Sequence, residues 1–582
     1  MSKFRHTLIG GAIAGASLAT TPVIAQPHIE GKVEIAFNRY HTPEEIQKDF
    51  RDIAAAYPDL VTLKTIGKSG EERDMFLAVL NNPKTGAPED KPAMWIDGGI
   101  HANEIQGSEV VLYTLWYLTK AYGVNDDLTT LMDTYAFYLL PMVNPDSRAA
   151  FFEDPSTPHY PRWNQRPVDN DRDGLVDEDP PDDLDGDGSI TQMWVRDPDG
   201  RWERDTHDPR IFRRVKDDQK GEWTYLGQEG IDNDGDGRIN EDGPGGDDMN
   251  RNWPGDWKPN YIQYGAGTYP LSDPEVKCIA TWIMEHPNIA AFQSFHNAAG
   301  MILRGPGASY MQDRYPRADQ RVYEEIGKLG EELLPYYSYL VVYSALYDVH
   351  GGEVDWTAES LGIISFTNEI WNEGKYFQRD GADPSDERMW TFRDKLQFGQ
   401  TFTDYTEVDH PQYGKVLVGG LNKWSSRSTP TFMLEEECHR NFAFTMVHAS
   451  QMPRVAFGRV EVERVGPRLW SVTAEVRNEM LIPTRTAVAA QRGIGVNDLL
   501  ELSGASVVAS GSLEDWRDKT IDETRFEPAR VQLPRGVPGR GSVIQRFYVE
   551  GGEGEEITLR YSGQKAGSLE RRVKLSETRA GE

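Results

Sequence analysis

The residues able to do chemistry sit where apolar runs stop. Met94-Trp95-Ile96 reads as a short buried strand that ends in Asp97-Gly98-Gly99-Ile100-His101-Ala102-Asn103-Glu104. Two glycines followed by His and Glu put both side chains in the crevice above a sheet, where α/β proteins keep their sites. A neutral imidazole and a carboxylate are zinc donors, and a catalytic zinc needs a third protein ligand and an open position. Further on, the apolar run Ile289 to Phe295 ends in His296, and the strand pattern from Gly362 ends in Glu369. Three strands thus deliver His101 with Glu104, His296 and Glu369 to one edge of a sheet.

A second chemistry lies between Arg162 and Asn252. Asp169, Asp171 and Asp173 precede Gly174; Asp183, Asp185 and Asp187 precede Gly188; Asp232, Asp234 and Asp236 precede Gly237. Oxygens at alternate positions before a turn glycine form the first half of an EF-hand-type calcium loop. An apolar residue follows two places later in each (Val176, Ile190, Ile239), but position twelve holds Pro180, Trp194 or Gly243 in place of the bidentate Glu. The alternatives are a solvated acidic loop and a calcium site. Calcium is preferred, because crowded carboxylates repel unless a cation neutralises them.

The 582-residue chain carries a formal net charge of −31, much of it in these loops: ten acids against one Arg from Asp169 to Asp187. So acidic a protein lacks the basic footprint that nucleic acid requires, and it does not suit anionic membranes. Lys3 and Arg5 precede an apolar run from Leu8 to Ala19, with small residues around Val23-Ile24-Ala25. This is the pattern of a cleavable secretory signal peptide over residues 1–25, which implies a secreted or periplasmic protein. No later stretch is apolar for long enough to span a bilayer. Cys278 and Cys438 leave two options open, one disulfide or two free thiols, and neither supports cysteine chemistry.

The elements that must position these residues follow from periodicity and caps. Thr42-Pro43-Glu44-Glu45 is a capping box that opens a helix to about Tyr57. Val61 to Ile66, Met75 to Leu80 and Tyr135 to Val143 read as strands. Ile105 to Tyr122, Ala318 to Leu334 and Phe432 to Met446 read as helices. Such alternation predicts an α/β domain over residues 35–452, a mixed sheet flanked by helices, with an Asp-rich insertion at 165–247. After about Pro453 the period becomes two: Trp470, Val472, Ala474 and Val476 alternate with polar residues, and Ile557, Leu559 and Tyr561 repeat the pattern. Residues 455–577 are therefore expected to form an all-β sandwich with a structural or docking role.

Six pieces occur in an order that resembles the zinc carboxypeptidases of the funnelin, carboxypeptidase A-like type. They are His101-Ala102-Asn103-Glu104, Asn144-Pro145-Asp146, Asp248 to Trp253, Ser294-Phe295-His296, Tyr347 to Trp356, and Phe366 to Glu369. The resemblance covers roughly residues 35 to 450. It implies one zinc ion held by His101, Glu104 and His296, with Asp248 orienting His101 and Glu369 as general base. It also implies an Arg that stabilises the oxyanion, here Arg162 in preference to Arg166. Asn250, Arg251 and Tyr347 would receive the carboxylate of a peptide or protein substrate with a free C-terminus. Val354 would favour an apolar terminal residue, whereas an inward-pointing Glu353 would favour Lys or Arg. The family's Asn-Pro-Asp-Gly has Ser147 in its last place here. Two further readings keep the fold: the same chemistry on cell-wall peptides, and a non-catalytic peptide-binding protein.

Overall fold

The computed structural model describes residues 29–170, 172–376 and 386–577. The expected signal peptide at 1–25 and Asp171 lie outside the described residues.

Among the described residues, one eight-stranded sheet carries the candidate site. Its order is Val61–Lys68, Asp74–Leu80, Ala136–Leu140, Ala93–Gly98, Ile289–Asn297, Ile364–Ile370, Met301–Arg304 and Ser338–Val341. The four middle strands from Ala136–Leu140 to Ile364–Ile370 run parallel; the flanking pairs make the sheet mixed. Middle strands are covered on both faces, and Ala93–Gly98 and Ile289–Asn297 are buried at every position, Asp97, Gln293 and Ser294 included. Successive side chains go to opposite faces. Met94 and Ile96 join Phe137, Leu139 and Phe366 on one side, and Trp95 joins Tyr138, Phe292, Trp253 and Trp356 on the other.

The helices follow the predicted periods with small end shifts. Thr42 and Glu45 form the capping box reciprocally, and Pro43 opens the helix Pro43–Ala56. Gln106–Ala121, Arg317–Leu333 and Leu434–Ser450 cover one face. The expected strand Tyr135 to Val143 is shorter. It stops at Leu140, and Asn144 caps a helix Pro145–Glu153 through a bond from the Ser147 amide. Ser147 thus sits in an ordinary first helical turn, where its hydroxyl donates to the Trp163 carbonyl. Cys278 and Cys438 are separate free thiols, the first packed onto Gly67 and the second buried.

The Asp-rich insertion carries strands as well as acidic loops. Gln192–Arg196, Trp202–Arg204, Phe212–Arg214 and Trp223–Gln228 are strands of a second sheet. They join Phe402–His410 and Gly414–Leu421, which lie far outside 165–247 in sequence. Aromatic packing holds it: Trp194 stacks on Phe212 with ring centroids 3.9 Å apart. The C-terminal part is two antiparallel sheets around one core of Trp470, Val472, Val476, Leu500, Phe547, Ile557, Leu559 and Tyr561. Among the described residues no helix is long and apolar enough to cross a membrane.

The backbones approach closely where the helix Gln106–Ala121 meets the sheet. A Cβ on Gly98 would lie 2.5 Å from the Gly107 carbonyl carbon, and one on Gly107 would lie 2.7 Å from the Phe295 carbonyl oxygen. Only glycines let the helix start sit against the two strand ends that carry His101 and His296. Gly107→Ala is expected to cost about 2 kcal/mol through overpacking, read by calorimetry as a lower Tm. Metal retention should weaken in parallel.

Candidate metal centre

The turn after Ala93–Gly98 sets the first two side chains. Gly99 has φ +72°, a left-handed conformation with Ser108 too close for any side chain there. The Glu104 amide then bonds back to the His101 carbonyl at 3.1 Å, so the imidazole and the carboxylate emerge on the same side. His296 comes from the neighbouring parallel strand, two residues beyond Ser294, the register partner of Asp97. Glu369 is the register partner of His296 on the next strand.

These side chains converge. His101 Nδ1 lies 3.1 Å from Glu104 Oε1 and 3.1 Å from His296 Nδ1, which is 2.9 Å from Glu104 Oε2. All three residues are buried. On the far side of the ring, His101 Nε2 donates to Asp248 Oδ1 at 2.9 Å, which leaves the Nδ1 lone pair facing the cluster. Burial would raise the Asp248 carboxyl, but Arg251, His101 and Arg162 outweigh it and hold the group well below the usual carboxylate range. Glu104 is likewise held low: His101 and Arg162 overcome the effect of burial. Glu369 behaves oppositely, since burial and the Glu104 carboxylate push it up to about 7.

Arg162 reaches Glu104 Oε1 at 2.6 Å, whereas Arg166 pairs with Asp247 and is half-exposed. Arg251 is buried and donates to the Tyr347 hydroxyl at 3.2 Å, with Tyr347 itself exposed at 58%. Asn250 Nδ2 lies 3.3 Å from His296 Nε2. Val354 joins a small apolar cluster with Met301, Leu303, Val342 and Val349. The rival histidines are elsewhere: His350 bonds to Asp256 and His286 stacks on Trp282. One participant escaped the sequence reading. Arg427 donates to Glu104 Oε1 at 3.1 Å from a loop 323 residues away, and nothing in Ser425-Ser426-Arg427-Ser428-Thr429 announces it except a lone cation among hydroxyls. The acidic loops lie apart from this centre and gather into groups of their own: Asp173, Glu178 and Asp234; Asp183, Asp185 and Glu229; Asp232, Asp234 and Asp236.

The description of a zinc carboxypeptidase matches residues 46–392 as a family model. The chain belongs to the zinc carboxypeptidase family. Among its relatives, mouse carboxypeptidase A2 is 26% identical over 357 residues, covering 58% of this chain and 64% of that protein. Bovine carboxypeptidase A1 is 24% identical over 354 residues with the same coverage. The match therefore spans just under two thirds of the length of these relatives. Similar solved structures include thrombin activatable fibrinolysis inhibitor (20% identity, TM-score 0.43, 71% of this chain and 77% of that one). Another is the carboxypeptidase A of Helicoverpa armigera (16%, TM-score 0.43, 72% and 74%). Residues 454–574 match a domain of unknown function.

Membership of the zinc carboxypeptidases implies zinc, and the donors here fit it. Two imidazole nitrogens and a carboxylate turned toward one point repel one another unless a cation lies between them. Asp248→Asn is expected to lower zinc affinity about 10- to 100-fold without unfolding the chain. Competition against a chromophoric chelator measures it.

Glu353 is buried and turned inward onto Asp97 and Ser294, beneath the strand that bears His296. Trp95 Nε1 donates to Asp97 Oδ2 at 2.6 Å. Burial and the facing Asp97 push Glu353 well above the usual carboxylate range. An acid with a raised folded pKa holds its proton more tightly when folded. It therefore subtracts stability as pH climbs past the ordinary Glu value of about 4.3. Glu353→Gln should raise Tm relative to wild type at pH 8 and give no gain at pH 4, as followed by scanning calorimetry.

Proposed function

We propose that this chain is an exported, zinc-dependent metallocarboxypeptidase that releases single residues from the free C-termini of peptides and proteins. The observation that carries the reading is the mutual approach of His101, Glu104 and His296 within 3.1 Å, with Glu369 in register beside His296. Export rests on the Lys3 to Ala25 pattern.

His101, Glu104 and His296 would hold the metal, oriented through Asp248. Zinc held there would supply Lewis-acid chemistry, for the scissile carbonyl and for the attacking water. Glu369 would accept the proton of the attacking water at its carboxylate and return it to the leaving amine. Arg251 offers a planar fork to the terminal carboxylate, with Asn250 and the Tyr347 hydroxyl as further donors. Arg162 brings positive charge to the carbonyl oxygen as it becomes an oxyanion. Val354 and its apolar neighbours would wall the terminal side chain.

The test is release of C-terminal amino acids by zinc-loaded protein from peptides ending in Phe, Leu, Lys and Arg, and from peptidoglycan stem peptides. Glu369→Gln should keep its zinc and lose about 10²- to 10⁴-fold in kcat, while Arg251→Ala should act mainly on KM. A chelator should abolish turnover. Preference for stem peptides would select the cell-wall reading. No release from any of these substrates by zinc-loaded wild type would leave a binding protein.

A further inference from the structure

The loops at 169–179 and 232–242 share the sequence pattern Asp-Asn-Asp-x-Asp-Gly and end alike in Glu-Asp, and they pack as a pair. Asp169 accepts the amides of Arg172 and Gly174; Asp232 accepts those of Gly235 and Gly237. At the eleventh place of each loop a buried acid reaches across to the other. Asp179 Oδ1 accepts the Asn233 amide at 2.9 Å, and Asp242 Oδ1 accepts the Asn170 amide at 3.0 Å. A backbone bond from Asp179 to Asp242 joins them at 3.1 Å.

The tenth place of each loop is a glutamate. Both carboxylate oxygens of Glu178 and both of Glu241 are buried, and no donor reaches any of the four. Asp179 is fully buried, and its Oδ2 also has no donor; it faces Glu241, which in turn faces Asp236. Glu178 lies with Asp173 and Asp234, ligand oxygens within 4.8 Å of one another. Buried carboxylates without a donor or a counter-ion are costly enough that folded proteins avoid them. Burial and the facing acids push Glu178 and Glu241 up to about 7 each, the response of groups short of positive charge.

We propose that the paired loops bind calcium, one ion in each, with Asp173 and Glu178 around one and Asp232, Asp236 and Glu241 around the other, Asp234 reaching both. The all-oxygen donor set selects a hard dication, and the glutamate at place ten does the work of the one missing from place twelve. The third loop provides the contrast. Asp183 makes the same turn with Gly186 and Gly188, but its tenth place is Gln192, and the nearby buried Glu229 is fully occupied by Leu184 and Thr191.

The ions would act on the metal centre through a stem. Asn164 and Asp247 bond to each other in both directions, at 3.0 and 3.1 Å, one step from Asp248 and two from Arg162. Calcium at the far end of that stem would fix the segment that delivers both residues, whatever substrate the centre takes.

Full-length, zinc-loaded protein freed of other divalent ions would be titrated with calcium by calorimetry. Two ions per chain are expected, with a rise in Tm of several degrees and slower proteolysis within 165–247. Glu178→Gln and Glu241→Gln should each remove one ion while zinc content and far-UV dichroism stay at wild-type levels; Asp187→Asn should keep both. No saturable uptake up to about 10 mM calcium, or uptake untouched by the two Gln variants, would overturn the proposal. A single ion per chain would overturn the assignment of one to each loop.

Discussion

Three electron-rich side chains held within about 3 Å of one another are the arrangement on which this molecule turns. No single stretch of chain can make it, because His101 and His296 are separated by nearly two hundred residues. It exists because two parallel strands run in register, Asp97 beside Ser294, and because a third sets Glu369 beside His296. Parallel pairing puts all three strand ends at the same edge, and burial on both faces leaves the strands no freedom to slip. The closeness of Gly98, Gly107 and Phe295 then decides how deep Glu104 sits. Electrostatics follow from that depth. The cations around Asp248 and Glu104 hold both carboxyls low, while burial and the Glu104 carboxylate push Glu369, one strand over, the other way. Carboxylates of the same chemical type thus acquire opposite tendencies from a few ångströms of placement.

Much of this was legible in the sequence, for a reason that does not extend to the rest. Strand patterns that end on His or Glu advertise themselves even when, as before Glu369, polar residues interrupt the run, and the capping box at Thr42 names its own helix. Arg162 could be preferred to Arg166 only by spacing, and the fold gives a physical difference: one guanidinium meets Glu104, the other is tied to Asp247. Arg427 was invisible because its partners are remote in sequence and its own neighbours are ordinary loop residues. The second sheet was hidden by composition. Its short strands alternate Trp, Phe and Tyr with charged residues, and their pairing partners at 402–421 lie beyond the insertion they complete. The tenth-place glutamates were read past for a related reason. A motif measured at position twelve does not register a ligand that the paired loop brings to position ten.

The C-terminal sandwich is also more closely joined to the α/β part than its change of period suggests. Asp319, on a helix beside the main sheet, accepts the amides of Ala487 and Val488 at 2.8 Å each and so caps the short helix Ala487–Arg492. The Thr486 hydroxyl donates to the Gly362 carbonyl, and Arg492 donates to the Glu359 carbonyl. Glu359 and Gly362 belong to the end of the helix Glu353–Leu361 and the turn after it. That helix begins with Glu353 and Val354, and its exit feeds the strand of Glu369.

The sandwich therefore grips the one helix that separates the candidate pocket wall from the candidate base. Force applied to the C-terminal part, by a tether or a bound surface, would arrive at the end of that helix that feeds the strand of Glu369. In mechanical terms the appended unit is a brace behind the candidate site, set against the end of the helix Glu353–Leu361.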